Sequence, residues 1–196
     1  MIATVTLGQL QAIMPLARAR ASTFLAPLNV AMLEFGINTL ARQASFLAQL
    51  AHESGQLVYV RELWGPTPSQ LRYERDATAA WPPRARTDRN QLPFDLGNSQ
   101  AGDGSRFRGR GLIQITGRTN YAACGKALGL DLLAQPAMLE QTVNACRSAG
   151  WFWQSRGLNA LADAGDQVAV TRRINGGANG LAERLAFFKV AQRVLA

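Results

Sequence analysis

The stretch LAQLAHESGQLVYVRELWG, Leu47 to Gly65, closes an apolar helix, breaks at Gly55 and runs into a short polar connection. It holds the chain's one histidine, His52, beside Glu53, and a second carboxylate, Glu62, nine positions on. At 100° per residue Glu53 nearly shares its angle with Phe46 and neighbours Leu50. It therefore points where the core points, in the last turn, where the helix dipole is negative. That is a setting in which a carboxyl acts as a general acid. Glu62 lies in the wetter connection. Two carboxylates in unlike settings suit glycoside hydrolysis, one as acid and the other as base or nucleophile. The same spacing also fits Glu53 pairing with an arginine and Glu62 lying on the surface.

Helical spacing continues on both sides. TLGQLQAIMP is a short helix stopped near Pro15. ARASTFLAPLNVAMLEFG sets Phe24, Leu25, Leu28, Met32 and Phe35 at helical intervals and ends at Gly36. NTLARQASFLAQLAHESG follows, capped by Asn38 or Thr39. From Trp64 to Gly111 the chain is rich in Pro, Gly, Asp, Asn and Arg, and reads as loops with one helix around Pro68 to Ala80. Loops this long inside a compact domain are usually functional. LIQIT reads as a short extended piece. Helices resume in RTNYAACGKALGL, PAMLEQTVNACRSAGWFWQSRG, LNALADAG, DQVAVTRRING and LAERLAFFKVAQRVL. With no internal repeat or linker, the expected architecture is mainly α. It is one domain over residues 1–196, with a loop-rich middle and little or no β.

A chain of 196 residues can bury a real core, and 47% hydrophobic with 17% charged residues is a globular balance. The net charge of +8 favours anionic partners: nucleic acid, acidic membranes or acidic wall polymers. Cys124 and Cys146 form no CxxC pair, and with a single histidine no zinc site is expected. Both cysteines read as reduced residues in helices. The first residues lack a basic start followed by an apolar run, so no signal peptide is expected. No stretch reaches about 18 uninterrupted apolar residues, so no membrane span is expected.

Five segments in order, AHESG, RELWGPTPSQLRYE, DLGNSQAGDGSRFRGRGLIQITGRTNY, AGWFW and TRRINGG, together resemble glycoside hydrolase family 19. That family holds plant-type chitinases and many phage and prophage endolysins. The resemblance runs roughly from Ala41 to Gly177, in the style of the bacterial and phage branch. It implies a lysozyme-like, mostly helical domain with a deep cleft for a β-1,4-linked N-acetylated sugar chain. By resemblance Glu53 is the general acid and Glu62 the general base of an inverting hydrolysis. Inversion needs roughly 6.5–9.5 Å between the carboxyls, to admit a water. Thr116, at the end of the Gly109–Thr116 motif, helps hold that water. Gln114, Asn120 and Asn175 match positions that hydrogen-bond the sugars. Arg110 is placed on the substrate side as an electrostatic support, and His52 braces the cleft or hydrogen-bonds Glu53. No metal or cofactor is implied. Two departures stand out. Gly55 occupies a place where plant members carry a Thr that positions the water. Arg75–Phe94 intervenes where related lysins run almost directly from LRYE to DLGN, as a lid, a substrate-side loop or a neutral insertion.

Charge chooses between the family's substrates, since bacterial walls are anionic and chitin is nearly neutral. The expectation is a monomeric endolysin cutting β-1,4 bonds of the peptidoglycan glycan strand. It is made in the host cytoplasm and reaches the wall from the periplasm once a holin opens the membrane. A chitinase or chitooligosaccharide hydrolase is the alternative enzyme, and a non-catalytic wall-binding module the alternative class. RFRGRG lacks the repetition and aromatic platforms of a nucleic-acid binder, so no nucleic acid is expected. GRGLIQITG is not GxGxxG. Trp151 reads as core before sugar platform. The C-terminal helix, with Arg184, Lys189 and Arg193, reads as packed on the core, with outer-membrane contact as the other reading.

Overall fold

Thr6 accepts the Gln9 amide while the Gln9 side chain accepts from the Thr6 N–H, a capping box that starts α1, Leu7–Ile13. The computed structural model describes residues 4–196. Helix α2, Ala19–Glu34, follows, then α3, Leu40–Glu53. Of the two caps considered for α3, Thr39 is the one used, accepting the Arg42 amide at 3.3 Å. The middle of α3 is buried on every side, Gln43 through Ala51. Its apolar face meets Trp153, whose ring stands edge-on to Phe46 at 5.3 Å. Its polar face is satisfied from another helix: Ser45 Oγ donates to Gln167 at 2.9 Å, and Gln49 Nε2 to Thr171 at 3.5 Å.

The later helices are α4 (Pro68–Leu71), α5 (Gln91–Leu96), α6 (Asp103–Arg106), α7 (Arg118–Leu128), α8 (Thr142–Ser155), α9 (Leu158–Asp163), α10 (Gln167–Asn175) and α11 (Leu181–Leu195). The longest contact runs between α11 and α3, and α2 pairs with α8. The fold is mainly α, as expected. Among the described residues β pairing is limited to isolated bridges of Arg110 with Arg61 and with Ile115. No described helix is long and apolar enough to cross a membrane. Cys124 and Cys146 are free and buried. The apolar face of α11 lies against the core through Ala191, Leu195, Phe187 and Phe188, which leaves Lys189 and Arg193 outward.

Three local expectations are corrected. LIQIT is a turn: Ile115 N donates to Arg110 O at 2.8 Å and Arg110 N to Ile115 O at 3.2 Å, folding the chain back on itself. The helix expected over Pro68–Ala80 stops at Leu71. Beyond it Glu74 is drawn to the amides of Ser105 (2.8 Å) and Gly102 (3.1 Å), and Asp76 caps Thr78. The run from Pro136 breaks at Gln141, which is extended, leaving a 3-10 turn Pro136–Glu140 ahead of α8.

The Arg75–Phe94 insertion is folded around Asn90, which is fully buried. Asn90 Nδ2 donates to the carbonyls of Asp76 (2.9 Å) and Ala80 (3.1 Å), and its Oδ1 accepts the Asp76 amide at 2.8 Å. Trp81 packs edge-on to Phe94 at 5.3 Å, with the Arg75 guanidinium 4.9 Å above Trp81. With the end of α4, the insertion encloses a polar cavity of about 920 Å³.

Candidate active site

Glu53 ends α3 with its side chain 22% exposed, and it is not alone there. Arg184, 3% exposed on α11, donates from Nη2 to Glu53 Oε1 at 2.6 Å. The same guanidinium reaches Gln49 Oε1 at 2.5 Å and the carbonyl of Asn179 at 3.3 Å. Pairing with an arginine, one of the two arrangements the spacing allowed, is therefore present. His52 does not support Glu53 as expected. Its Nδ1 lies 2.5 Å from Glu183 Oε2, and its ring rests against Gly180.

Directly after Glu53 the backbone turns left-handed at three successive residues: Gly55 (φ +56°), Gln56 (φ +59°) and Leu57 (φ +66°). Only the first is a glycine, so the other two carry a conformational cost. Ser54 holds the turn, donating to Leu50 O at 2.6 Å and accepting the Leu57 amide at 2.8 Å. A Cβ at Gly55 would meet the Tyr59 ring at 2.9 Å. A threonine here would have to displace that exposed ring and adopt a φ of +56°, which a β-branched residue rarely does.

Glu62 is fastened to the GRG motif from both sides of its peptide. Its N–H donates to Gly109 O at 2.9 Å, and its Oε2 accepts the Gly109 amide at 3.2 Å. Its Oε1 accepts from Gln70 Nε2 at 3.0 Å, and buried Gln70 also donates to Leu63 O at 2.6 Å. Burial and the Glu62 charge push the nearby Tyr73 phenol above its ordinary pKa. Gly109 is required by packing: a Cβ there would lie 2.3 Å from Gln114 Oε1. Glu62, Gly109 and Gln114 thus form one continuous stack.

Gln114, Thr116 and Asn120 line one cavity of about 450 Å³, together with Trp151, Arg156 and Ile174. Asn120 Nδ2 donates to Thr116 O at 2.7 Å, which fixes the two relative to each other. Trp151 is half-buried: one side joins the core and the other faces this cavity. Asn175 follows Ile174 but spends its amide on its own loop, bonding Asn179 O and the Gly177 N–H, each at 2.9 Å. Arg110 is placed differently from expectation. It is 5% exposed behind the motif, bonding Glu140 (2.7 Å), Arg106 O (2.8 Å) and Tyr121 Oη (2.9 Å). It braces the turn from inside and does not line that cavity. Burial raises the Tyr121 phenol to about 12, so the hydroxyl keeps its proton and donates to Arg108 O at 2.6 Å.

Two residues escaped the sequence reading as site residues, Arg184 and Gln70. Arg184 carried a signal: it falls on the apolar stripe of its helix, seven and eleven positions before Ala191 and Leu195. A charge on a buried stripe calls for a buried partner. Gln70 carried no comparable signal.

Known proteins resemble the chain in sequence and in fold. The model of a glycoside hydrolase family 19 group described as chitinase class I matches residues 37–195. A glycosyl hydrolase family 19 domain-containing protein of Haemophilus influenzae is 33% identical over 172 residues, covering 76% of this chain and 77% of its own. Endochitinase CHI of Arabidopsis thaliana is 35% identical over 133 residues, 67% of this chain and 42% of its own. The chain thus spans about two fifths of that plant relative's length. Chitinase C of Streptomyces griseus superposes with a TM-score of 0.69 at 25% identity, over 97% of this chain and 76% of the other. A bacterial family 19 chitinase superposes at 0.71 and 23% identity, over 98% and 95%.

Proposed function

Because the chain belongs to glycoside hydrolase family 19, and is on that ground a glycosidase, we propose that it hydrolyses the β-1,4 bonds of the peptidoglycan glycan strand as an endolysin. The observation that carries the choice of polymer is charge. The chain bears +8, and Arg156 stands at the wall of the cavity that holds Gln114, Thr116 and Asn120. A cationic cleft attracts an anionic wall polymer and gains little from a neutral one.

The chemistry follows from the two carboxyl settings. Glu53 gives its proton to the leaving glycosidic oxygen, and the charge it then bears faces the Arg184 guanidinium 2.6 Å away. Glu62 takes a proton from the attacking water. Both its oxygens already accept a bond, but a carboxylate offers about four acceptor positions, so a water still finds one. Thr116 supplies a hydroxyl to orient that water, and Gln114 and Asn120 bond the sugars. The product has inverted configuration. The protein works on the periplasmic side of the wall, after release from the cytoplasm.

A second reading, chitin hydrolysis, is favoured by one observation: the plant relatives and the superposed bacterial enzymes bear chitinase names. Digestion of purified Gram-negative peptidoglycan beside colloidal chitin separates the two. Wild type, Glu53→Gln and Glu62→Gln are compared, with products reduced by borohydride and read by mass spectrometry. Reduced muramic acid or glucosamine ends from peptidoglycan, lost in both variants, are expected. Products from chitin alone would move the enzyme to the second reading.

A further inference from the structure

The cavity of Gln114, Thr116 and Asn120 is lined in part by Arg156 and Ile174. Arg156 and Ile174 also line a second cavity of about 470 Å³, with Arg172, Arg173, Asp166 and Gly176 along its other walls. The two adjoin at these side chains. Two of the second cavity's three arginines are positioned by contacts that leave their charge uncompensated. The Arg156 guanidinium lies 4.4 Å over the Phe152 ring, and Arg173 Nη1 donates to the carbonyl of Arg156 at 3.0 Å. Arg172 and Arg173 sit in the last turn of α10, where the helix dipole favours cations. All three are exposed, and none forms an ion pair among the described residues. The one carboxylate in the second cavity, Asp166, is spent capping α10, accepting the Ala169 amide at 2.8 Å. Other exposed arginines, Arg18 and Arg72 among them, also lack an ion pair among the described residues, but here three guanidinium groups stand together around one open cavity with a single carboxylate, Asp166, on its walls.

We propose that this second cavity is a carboxylate subsite, adjoining the cavity of Gln114, Thr116 and Asn120, that binds the acidic substituents of the glycan strand. The inference rests on the peptidoglycan reading above and deepens it. A guanidinium fork matches a carboxylate with two parallel hydrogen bonds, which a neutral N-acetylated sugar cannot return. Two sources of carboxylate exist, the peptide stem and, once the stem is removed, the lactyl group of muramic acid. In an intact strand the lactyl carboxyl is tied up in the amide to the stem, so the stem carboxylates are the assigned ligand.

The test is steady-state kinetics of wild type, Arg172→Gln and Arg172→Lys on three soluble substrates. These are glycan strands bearing stems, the same strands after an amidase has removed the stems and freed the lactyl carboxylates, and neutral chitin oligosaccharides. Arg172 is exposed, and thermal melts check that each variant folds. The expected result for Arg172→Gln is a KM about tenfold higher on stem-bearing strands, with kcat kept and the stem-free strands unaffected. Arg172→Lys lies between, since it keeps the charge and loses the fork. A KM increase confined to the stem-free strands, with chitin oligosaccharides unaffected, moves the ligand to the freed lactyl carboxylate, and an equal increase on both acidic strands shows a carboxylate subsite that accepts either. A variant that changes all three substrates alike, or none, overturns the subsite. Wild type inactive on both acidic strands yet active on chitin oligosaccharides is a different failure, that of the peptidoglycan reading itself.

Discussion

Arg184 Nη2 stands 2.6 Å from Glu53 Oε1, and one residue earlier on each helix His52 Nδ1 stands 2.5 Å from Glu183 Oε2. The last turn of α3 and the first turn of α11 are therefore joined by two side-chain contacts side by side. The outer one is half open to water and worth little. The inner one is not. Arg184→Ala leaves Glu53, Gln49 and the Asn179 carbonyl without their donor. It is expected to destabilise the fold by about 3 kcal/mol, the low end for a broken buried pair because Glu53 keeps some solvent. In the fraction that remains folded, kcat falls while KM is kept, since what is lost acts on the reacting carboxyl. A wild-type melt together with wild-type kcat for Arg184→Ala would refute the role given to it.

Gly109→Ala tests the stack beneath Glu62. The added methyl meets Gln114 Oε1 at 2.3 Å and Gln114 Cδ at 2.9 Å, so the glutamine must swing away. A cost of about 1–3 kcal/mol is expected from overpacking. KM should rise with the loss of the Gln114 contact, and kcat should fall as any backbone shift at residue 109 moves the amide that Glu62 accepts. Gly8 in α1 has open space around it, and Gly8→Ala should stabilise by about 0.5–1 kcal/mol without touching activity. Chemical denaturation and kinetics on the same preparations read both.

Asn90→Ala should melt the insertion ahead of the molecule. Substitution removes the bonds that this fully buried side chain makes to the Asp76 amide and to the carbonyls of Asp76 and Ala80, a cost of about 2 kcal/mol. The loss falls on a segment that is pinned by its own side chains. Hydrogen exchange should rise across residues 76–96 with the protection of α3 unchanged. A uniform rise across both would show that the insertion and core unfold together.

Acid should weaken the fold through its exposed pairs. The Arg147 hydrogen bond holds Glu34 below its ordinary 4.5, and Arg42 holds Asp163 below its ordinary 3.8. Thr78, with Arg89 behind it, holds Asp76 below 3.8. A depressed folded pKa contributes stability that is present above the unfolded value and lost as pH falls through the folded one. Melting temperature should therefore be level above about pH 5 and drop below 4.5, and Arg147→Gln should flatten the upper part of that drop.

The cysteines should be silent in the native state. Burial pushes the Cys124 thiol up to about 12 and raises Cys146 further. An aromatic disulfide reagent near neutral pH should titrate no thiol in the folded protein and both after guanidinium unfolding. Prompt reaction of one would mean that the α7–α8 contact opens.

The helical frame was legible because α2, α3 and α11 repeat their apolar residues at the helical period, and that period is a local property. The cap of α3 was legible for the same reason, narrowed to Asn38 or Thr39. The middle of the chain was not, because its order comes from single polar side chains that bond distant backbone. Asn98 joins Tyr73 O to the Arg118 amide, and Glu74 joins the amides of Gly102 and Ser105. No periodicity records such bonds. Glu53 and Glu62 were singled out by their unlike settings, and the family resemblance gave them roles. What sequence reasoning did not supply was what holds them. Arg184 lies 131 positions from Glu53, and Gln70 looks like any loop glutamine.

That separation of 131 positions also has a meaning in time. A ribosome adding about 5–20 residues per second delivers Arg184 roughly 7–26 seconds after Glu53. Through that interval the nascent chain carries Glu53 without the cation that steadies it. Synthesis of the first three helices and both carboxylates therefore leaves that pair unformed. The setting of Glu53 is completed only when α11 settles along α3 and closes both side-chain contacts together.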